Sequence, residues 1–466
     1  MFANRQSLFY TMSYKLRKTD AIINGFINKI DSITVMWILA VLYRIILDFT
    51  YVFAVSSQYS YAGLKYNPNS IKYIISLFLY FIVFFLLPKK EMEFDSFFLN
   101  IQFAIVIAPM LTYYALNSQS TVYMLMIIIC VVLQILILVI NRTTYIKSIH
   151  IVSIKPYSTI ILGLVVLLSV VIPILYNGFA GLKTFNLNFL YLLRENNELP
   201  PVIPYFIQWT YSVILPFGIV YSLQNKRYLN VFIFLVMQLI MFILTGAKSV
   251  YLYVPVIVFI YFIASKRILL KGLYAGLVLG CIAAIVFERF TVVNGIYGLP
   301  EILAISFFGI RFLFIPAFNK FEYYRFFHDY PFNLFSDGQI GRLFSLSTPY
   351  KGALGRVIAS FSTGQPMGIN NSNTGYLGDS YAQAGFIGML CMSIILAIII
   401  KFVSRISKGY HFAVIASLFS VSFIILNDAA LLTTLFSGGM IVLILLVIIY
   451  QDNNSLNTDL SGECNK

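Results

Sequence analysis

The sequence predicts an all-α polytopic integral membrane protein, and three observations carry that prediction. The first is composition: of 466 residues, 60% are hydrophobic and only 11% are charged, against roughly a quarter charged in a soluble domain. The second is a series of long apolar runs, each of roughly 17–22 residues, the length needed to cross the hydrocarbon core. The third is where the basic residues sit. The net charge of +14 could suggest nucleic acid, but most Lys and Arg flank apolar runs, where the positive-inside rule puts them.

Apolar runs begin near Ile33, Ile71, Ser96, Val122, Tyr157, Ile203, Asn230, Val250, Gly272, Tyr381, Phe412 and Leu431, which gives about twelve transmembrane helices. The basic stretches Lys89-Lys90, Arg142 to Lys155, Lys226-Arg227, Lys266 to Lys271 and Lys401 to Lys408 then fall on one side. That side is expected to be cytoplasmic, together with both termini. The first thirty residues are polar and basic and show no cleavable signal peptide. The opposite side receives Ser56 to Asn69, Asn117 to Ser120, Asn177 to Pro201, the Gly246 to Ser249 turn and everything from Glu288 to Ser380.

The segment 302–318 is apolar but holds Gly309, Arg311 and Pro316. Counting it as a span would put Lys401 to Lys408 outside, so it is expected to be re-entrant or interfacial, as irregular backbone can be where it lines a cavity. The chain thus divides into helices 1–9 plus this segment (1–318), a large periplasmic loop (319–380), helices 10–12 (381–450) and a cytoplasmic tail (451–466). The loop is rich in Phe and Tyr, which argues for a folded cap over a membrane-embedded site and against disorder.

Chemistry is expected at that face. Arg194, Arg311, Arg325, Arg342 and Arg356 lie outside, besides Arg289 and Lys248, although external loops are usually depleted in basic residues. Loop solvation with neighbouring Glu and Asp is one explanation. The other is a multiply charged anion, since the guanidinium fork binds phosphate oxygens bidentately. The histidines His150, His328 and His411 are far apart and no Asp-x-Asp lies outside, so no metal site or cofactor is expected. Asp379 is the best candidate for a carboxylate base; the alternative is a helix N-cap. Inside the first span, Arg44 and Asp48 stand at i,i+4 and share a face, as a structural ion pair or a functional one.

The run Asn373-Thr-Gly-Tyr-Leu-Gly-Asp379-Ser-Tyr381 with Gly385-Phe-Ile-Gly388, and the turn Leu244-Thr-Gly-Ala-Lys248-Ser249, resemble motifs of the O-antigen polymerase (Wzy) family, with Lys248 where that family often has Arg. The resemblance implies a GT-C-like lipid-carrier glycosyltransferase of the bacterial inner membrane. It would join oligosaccharide repeat units carried on undecaprenyl diphosphate, alongside a polysaccharide chain-length regulator. The resemblance carries over to Asp379, Arg194 and Lys248. By their own position and chemistry Arg311 and Arg342 would join Asp379 and Arg194 as catalytic, and Arg289, Arg356 and Tyr381 would join Lys248 in binding substrate. A flippase for the lipid-linked unit and an O-antigen ligase are the alternatives. In a cysteine-free background, Asn188→Cys and Ser347→Cys are expected to react with an impermeant thiol reagent from the periplasmic side, and Thr143→Cys and Ser407→Cys are not. A cytoplasmic Ser347→Cys would make 302–318 a true span.

Overall fold

The computed structural model describes residues 32–140, 155–177, 199–200, 202–246, 248–294, 302–368 and 370–450. Among them the regular structure is entirely helical. Helix α1 (Ser32–Thr50) continues through a π turn, Tyr51–Val55. α2 (Ser70–Leu86) is opened by Asn69, whose side chain accepts the Lys72 backbone N–H at 3.0 Å, the ordinary N-cap bond. Next come α3 (Phe94–Leu116), α4 (Thr121–Ile140), α5 (Lys155–Asn177), α6 (Ile203–Gln224) and α7 (Tyr228–Thr245). Gly246, at φ +59°, ends α7 in the left-handed conformation that glycine tolerates best.

α8 (Lys248–Ser265) and α9 (Leu269–Asn294) follow. α10 runs as π helix over Ile302–Phe314 and as α helix over Ile315–Asp329. The short helices α11 (Gly338–Leu343) and α12 (Leu354–Thr363) lead to α13 (Tyr376–Ile406), α14 (Phe412–Asp428), α15 (Leu431–Leu435) and α16 (Met440–Ile449).

Among the described residues, eight helices are long and apolar enough to cross a membrane. Four shorter apolar helices accompany them: Ser70–Leu86, Ile160–Tyr176, Leu252–Ser265 and Phe412–Asp428. The all-helical, polytopic architecture is therefore as the sequence predicts. Two boundaries differ. α13 opens at Tyr376, ahead of the predicted Tyr381. The polar stretch from Asn319 to Asp329 is the second half of α10 and not loop. Its apolar residues Phe321, Tyr323, Phe326 and Phe327 are buried, so tertiary packing holds a helix whose sequence reads as polar. Phe308 of α10 lies against Gly280, in the middle of α9. Further along, α10 reaches Tyr113 at the end of α3 and Tyr123 at the start of α4. This end of the bundle, where α3 meets α4, is called the cap end below.

Helices pair as α1 with α9, α2 with α3, α4 with α13, α6 with α7 and α8 with α14, while α10 packs on both α9 and α13. Polar groups inside the bundle are tied together. A π turn at Phe103–Ile107 widens α3, and two carbonyls of that turn bond to other helices. Ala104 O accepts Tyr43 OH at 2.8 Å and Ile105 O accepts Asn427 Nδ2 at 3.2 Å. Such turns interrupt the regular ladder and often sit near functional sites.

Arg44 and Asp48 form the second tie. Arg44 Nε donates to Asp48 Oδ2 at 3.0 Å, Nη2 donates to Ser76 at 2.9 Å, and the guanidinium lies over the Tyr73 and Tyr80 rings. Asp48 also accepts from Tyr73 OH at 2.9 Å and Thr112 Oγ1 at 2.7 Å. One carboxylate thus joins α1, α2 and α3, which is the structural alternative for this pair. Removing one partner of such a pair leaves a buried charge alone. Arg44→Met is therefore expected to lower stability by about 3–5 kcal/mol, and Arg44→Met with Asp48→Leu by less; detergent unfolding of both variants measures this.

Candidate functional site

The site is built around a break in α13. Ala384 (φ −152°, ψ 30°) and Gly385 (φ 60°, ψ −146°) leave helical geometry, so Tyr376–Gln383 is a short helix set off from the long apolar remainder. The Gly385 conformation is essentially restricted to glycine. A Cβ there would also fall 2.9 Å from the Phe332 ring.

The break frees carbonyls that a continuous helix would have used. Residues after α10 take them up: Asn333 N–H donates to Ala382 O at 2.9 Å and Leu334 N–H to Gln383 O at 3.1 Å. Leu334 (φ 49°) and Phe335 (φ 59°) are consecutive left-handed residues without being glycine, a conformation that persists only where its surroundings impose it. The Gln383 side chain is part of that imposition. Its Oε1 accepts Phe335 N–H at 2.7 Å and Asn333 Nδ2 at 3.2 Å.

Asp379 stands one turn before Gln383 and accepts Gln383 Nε2 at 3.2 Å. It is half-buried. It is not the N-cap of its helix. Gly375 holds that position without a side-chain cap bond, and Asp379 lies in the first turn beyond it. The capping role that the sequence left open is therefore excluded, and a carboxylate in the first turn complements the helix dipole. Asp337, bonded to Asn333 Nδ2, is a charged neighbour of Asp379. Tyr323 lies within electrostatic reach of Asp379, Asp337 and Asp428, and its hydroxyl donates to Ser372 O at 3.0 Å.

A second polar group adjoins this one. Lys320 is fully buried, and its Nζ donates to Asn427 O at 2.7 Å, Asn427 Oδ1 at 3.0 Å and Pro316 O at 3.1 Å. Burial pushes its amine down to about 7, with the charge of Asp428 pulling the other way. Asn427 Nδ2 in turn reaches Ile105 O and Phe312 O. Here the start of α13 meets the end of α14 so closely that a Cβ on Gly375 would fall 2.6 Å from Leu426 O. Asp428 is solvent-exposed, with Lys320 and Arg311 as its charged neighbours.

The predicted site residues are only partly brought together. Asp379 and Tyr381 share the short helix. Tyr381 is buried and its ring packs against Tyr123, Tyr324 and Phe332 at 5.2–5.8 Å between centroids, so it serves packing and offers little face to a sugar. Arg311 is exposed beside Asp428, with its guanidinium 5.9 Å from the Phe307 ring centroid. Arg289 lies elsewhere, over Phe53 of the α1 π turn at 5.2 Å. Its neighbour Glu288 is buried and accepts Gln58 Nε2 at 2.7 Å. Arg356 is exposed on α12. Lys248 opens α8 and Arg342 lies in α11, their side chains falling outside the described residues, as does the whole of Arg194.

Arg325 is paired with Glu322 at 2.6 Å and lies 4.8 Å from the Phe361 ring centroid. Burial raises the Glu322 carboxyl and the Arg325 charge opposes this. Sequence reasoning did not find Lys320, Gln383, Asn333 or Asn427; of these, only a lysine directly after an apolar run gave any signal. Among the described residues no three His, Cys, Asp or Glu side chains converge.

Compared with protein-family models, curated proteins and solved structures, the chain matches none. Gly385→Ala is expected to destabilise the protein by about 1–3 kcal/mol through its backbone conformation alone. Gly163→Ala, where nothing lies within 4 Å, is expected not to destabilise; thermal unfolding in detergent compares the two.

Proposed function

We propose that this protein is a membrane glycosyltransferase that joins oligosaccharide repeat units carried on a polyprenyl diphosphate, as O-antigen polymerases do. One observation carries the reading. Asp379 is a half-buried carboxylate that is not used as a helix cap, and a buried amide fixes its orientation at the cap end. A carboxylate so placed can take a proton from a polar acceptor beside the membrane. The sequence resemblance set out above supplies the substrate class.

In this reaction a hydroxyl of one repeat unit attacks the anomeric carbon of the growing glycan. The new glycosidic C–O bond forms as the bond from that carbon to the diphosphate oxygen breaks. The diphosphate leaves with the electron pair, and Asp379 takes the hydroxyl proton. General base catalysis of this kind contributes about a hundred- to ten-thousand-fold. Of the expected basic residues whose side chains are described, Arg311 neighbours Asp428, which with Asp379 lies within electrostatic reach of Tyr323. A guanidinium there would stabilise charge developing on the leaving diphosphate. Membrane lipid, the lipid-linked glycan and a chain-length regulator are the partners this reading requires; it requires no nucleic acid and no cofactor.

Asp379→Asn keeps the side-chain shape and loses the ability to take a proton. In a strain without the native gene it is expected to give lipopolysaccharide carrying a single repeat unit and no ladder, at wild-type protein abundance. A full ladder from Asp379→Asn would remove the base, and loss of every repeat unit on deleting the gene would point to a flippase or ligase.

A further inference from the structure

We infer that Gln383 is the positioning residue for Asp379, and that the cap segment Asn333–Phe335 fixes it in that role. The inference rests on the reading of Asp379 as base. The carboxamide of Gln383 is buried and has both ends engaged. Its oxygen accepts Phe335 N–H at 2.7 Å and Asn333 Nδ2 at 3.2 Å, and its nitrogen donates to Asp379 Oδ1 at 3.2 Å. An unanchored amide can turn over and present either oxygen or nitrogen to a neighbour. Two donors on the oxygen side remove that freedom. The nitrogen is then the only part of the group facing the carboxylate, and the interaction is attractive.

The supporting segment is itself over-determined. Leu334 and Phe335 hold left-handed backbone. Asn333 and Leu334 N–H are tied to the carbonyls at the helix break. Asn333 Nδ2 reaches Asp337 as well as Gln383, and Phe332 covers Gly385. Left-handed residues cost free energy that neighbouring contacts must offset. Here the contacts that offset it are those that orient Gln383. The break in α13, the bend in the cap segment and the direction of the Asp379 carboxylate thus form one arrangement. A base acts within a narrow range of distance and angle, and a shift of about 1 Å can cost about a hundredfold in rate.

Two substitutions separate positioning from mere support of the cap. Gln383→Met fills the same space without polar atoms. Gln383→Glu keeps both acceptor bonds to Asn333 and Phe335 but turns a second negative charge towards Asp379. Activity would be measured as polymer formed by purified full-length protein in detergent, on undecaprenyl-diphosphate-linked repeat unit isolated from the host strain deleted for this gene. Gln383→Met is expected to lower kcat by about 10–100-fold with KM within about twofold. Gln383→Glu is expected to lower kcat further, although it preserves the cap contacts. Should Gln383→Met fail to fold, Gln383→Asn, which keeps the amide but shortens its reach, is expected to show the same loss of kcat at constant KM. A Gln383→Glu enzyme more active than Gln383→Met would mean that the side chain only anchors the cap, and would overturn the inference. So would a Gln383→Met enzyme with wild-type kcat. If Asp379→Asn is inactive in the same assay while Gln383→Met is unaffected, the positioning role fails and the base remains; if Asp379→Asn is active, the base itself fails.

Discussion

Lipid supplies no hydrogen bonds, so every backbone group freed inside a membrane bundle needs a partner from the protein. The break in α13 at Ala384–Gly385 interrupts a helix long and apolar enough to cross a membrane and raises this demand. It releases the Ala382 and Gln383 carbonyls, and the chain after α10 returns to meet them with Asn333 and Leu334 N–H. That return seats the cap on the bundle. It also places Phe332 over the glycine, bends the backbone into left-handed geometry at Leu334 and Phe335, and surrounds the Gln383 amide with donors. The position of Asp379 depends on this sequence of contacts, because its hydrogen-bond partner in the described structure is that amide.

The same rule explains the other polar ties. The π turn of α3 opens the carbonyls of Ala104 and Ile105 to Tyr43 and Asn427. Lys320 places a buried amine on the last turn of α14, where the carbonyl end of a helix dipole favours a cation. Asp48 gathers α1, α2 and α3 through Arg44, Tyr73 and Thr112. These groups fix which helix faces which in a setting where apolar side chains discriminate poorly, since lipid tails are as apolar as leucine.

The charge arrangement narrows what the site can do. An anion site built from several converging arginines was the sequence's simplest expectation. Among the described residues, Arg289 sits over Phe53, Arg325 is paired with Glu322, and Arg356 faces solvent on α12. Arg311 alone borders the Asp428 and Tyr323 neighbourhood. Among the described residues, the side chains gathered around Asp379 are carboxylates and amides, and Arg311 is the guanidinium that neighbours Asp428.

The sequence by itself determined that the chain is helical and polytopic, because run length and charge content depend on bilayer thickness and on little else. It also singled out Asp379 and the Gly385 region, since an acidic residue and spaced glycines stand out against apolar background. It did not show the helix at Asn319–Asp329, which reads as polar loop but is held as helix by burial of Phe321, Phe326 and Phe327. The partners of Asp379 were decided only by tertiary structure. Gln383 and Asn333 are unremarkable in sequence and lie 50 positions apart. They become a unit only because the helix breaks and the chain must return to satisfy it. The same holds for Lys320 and Asn427, 107 positions apart: no local pattern encodes a contact whose cause is the need to leave no buried polar group without a partner.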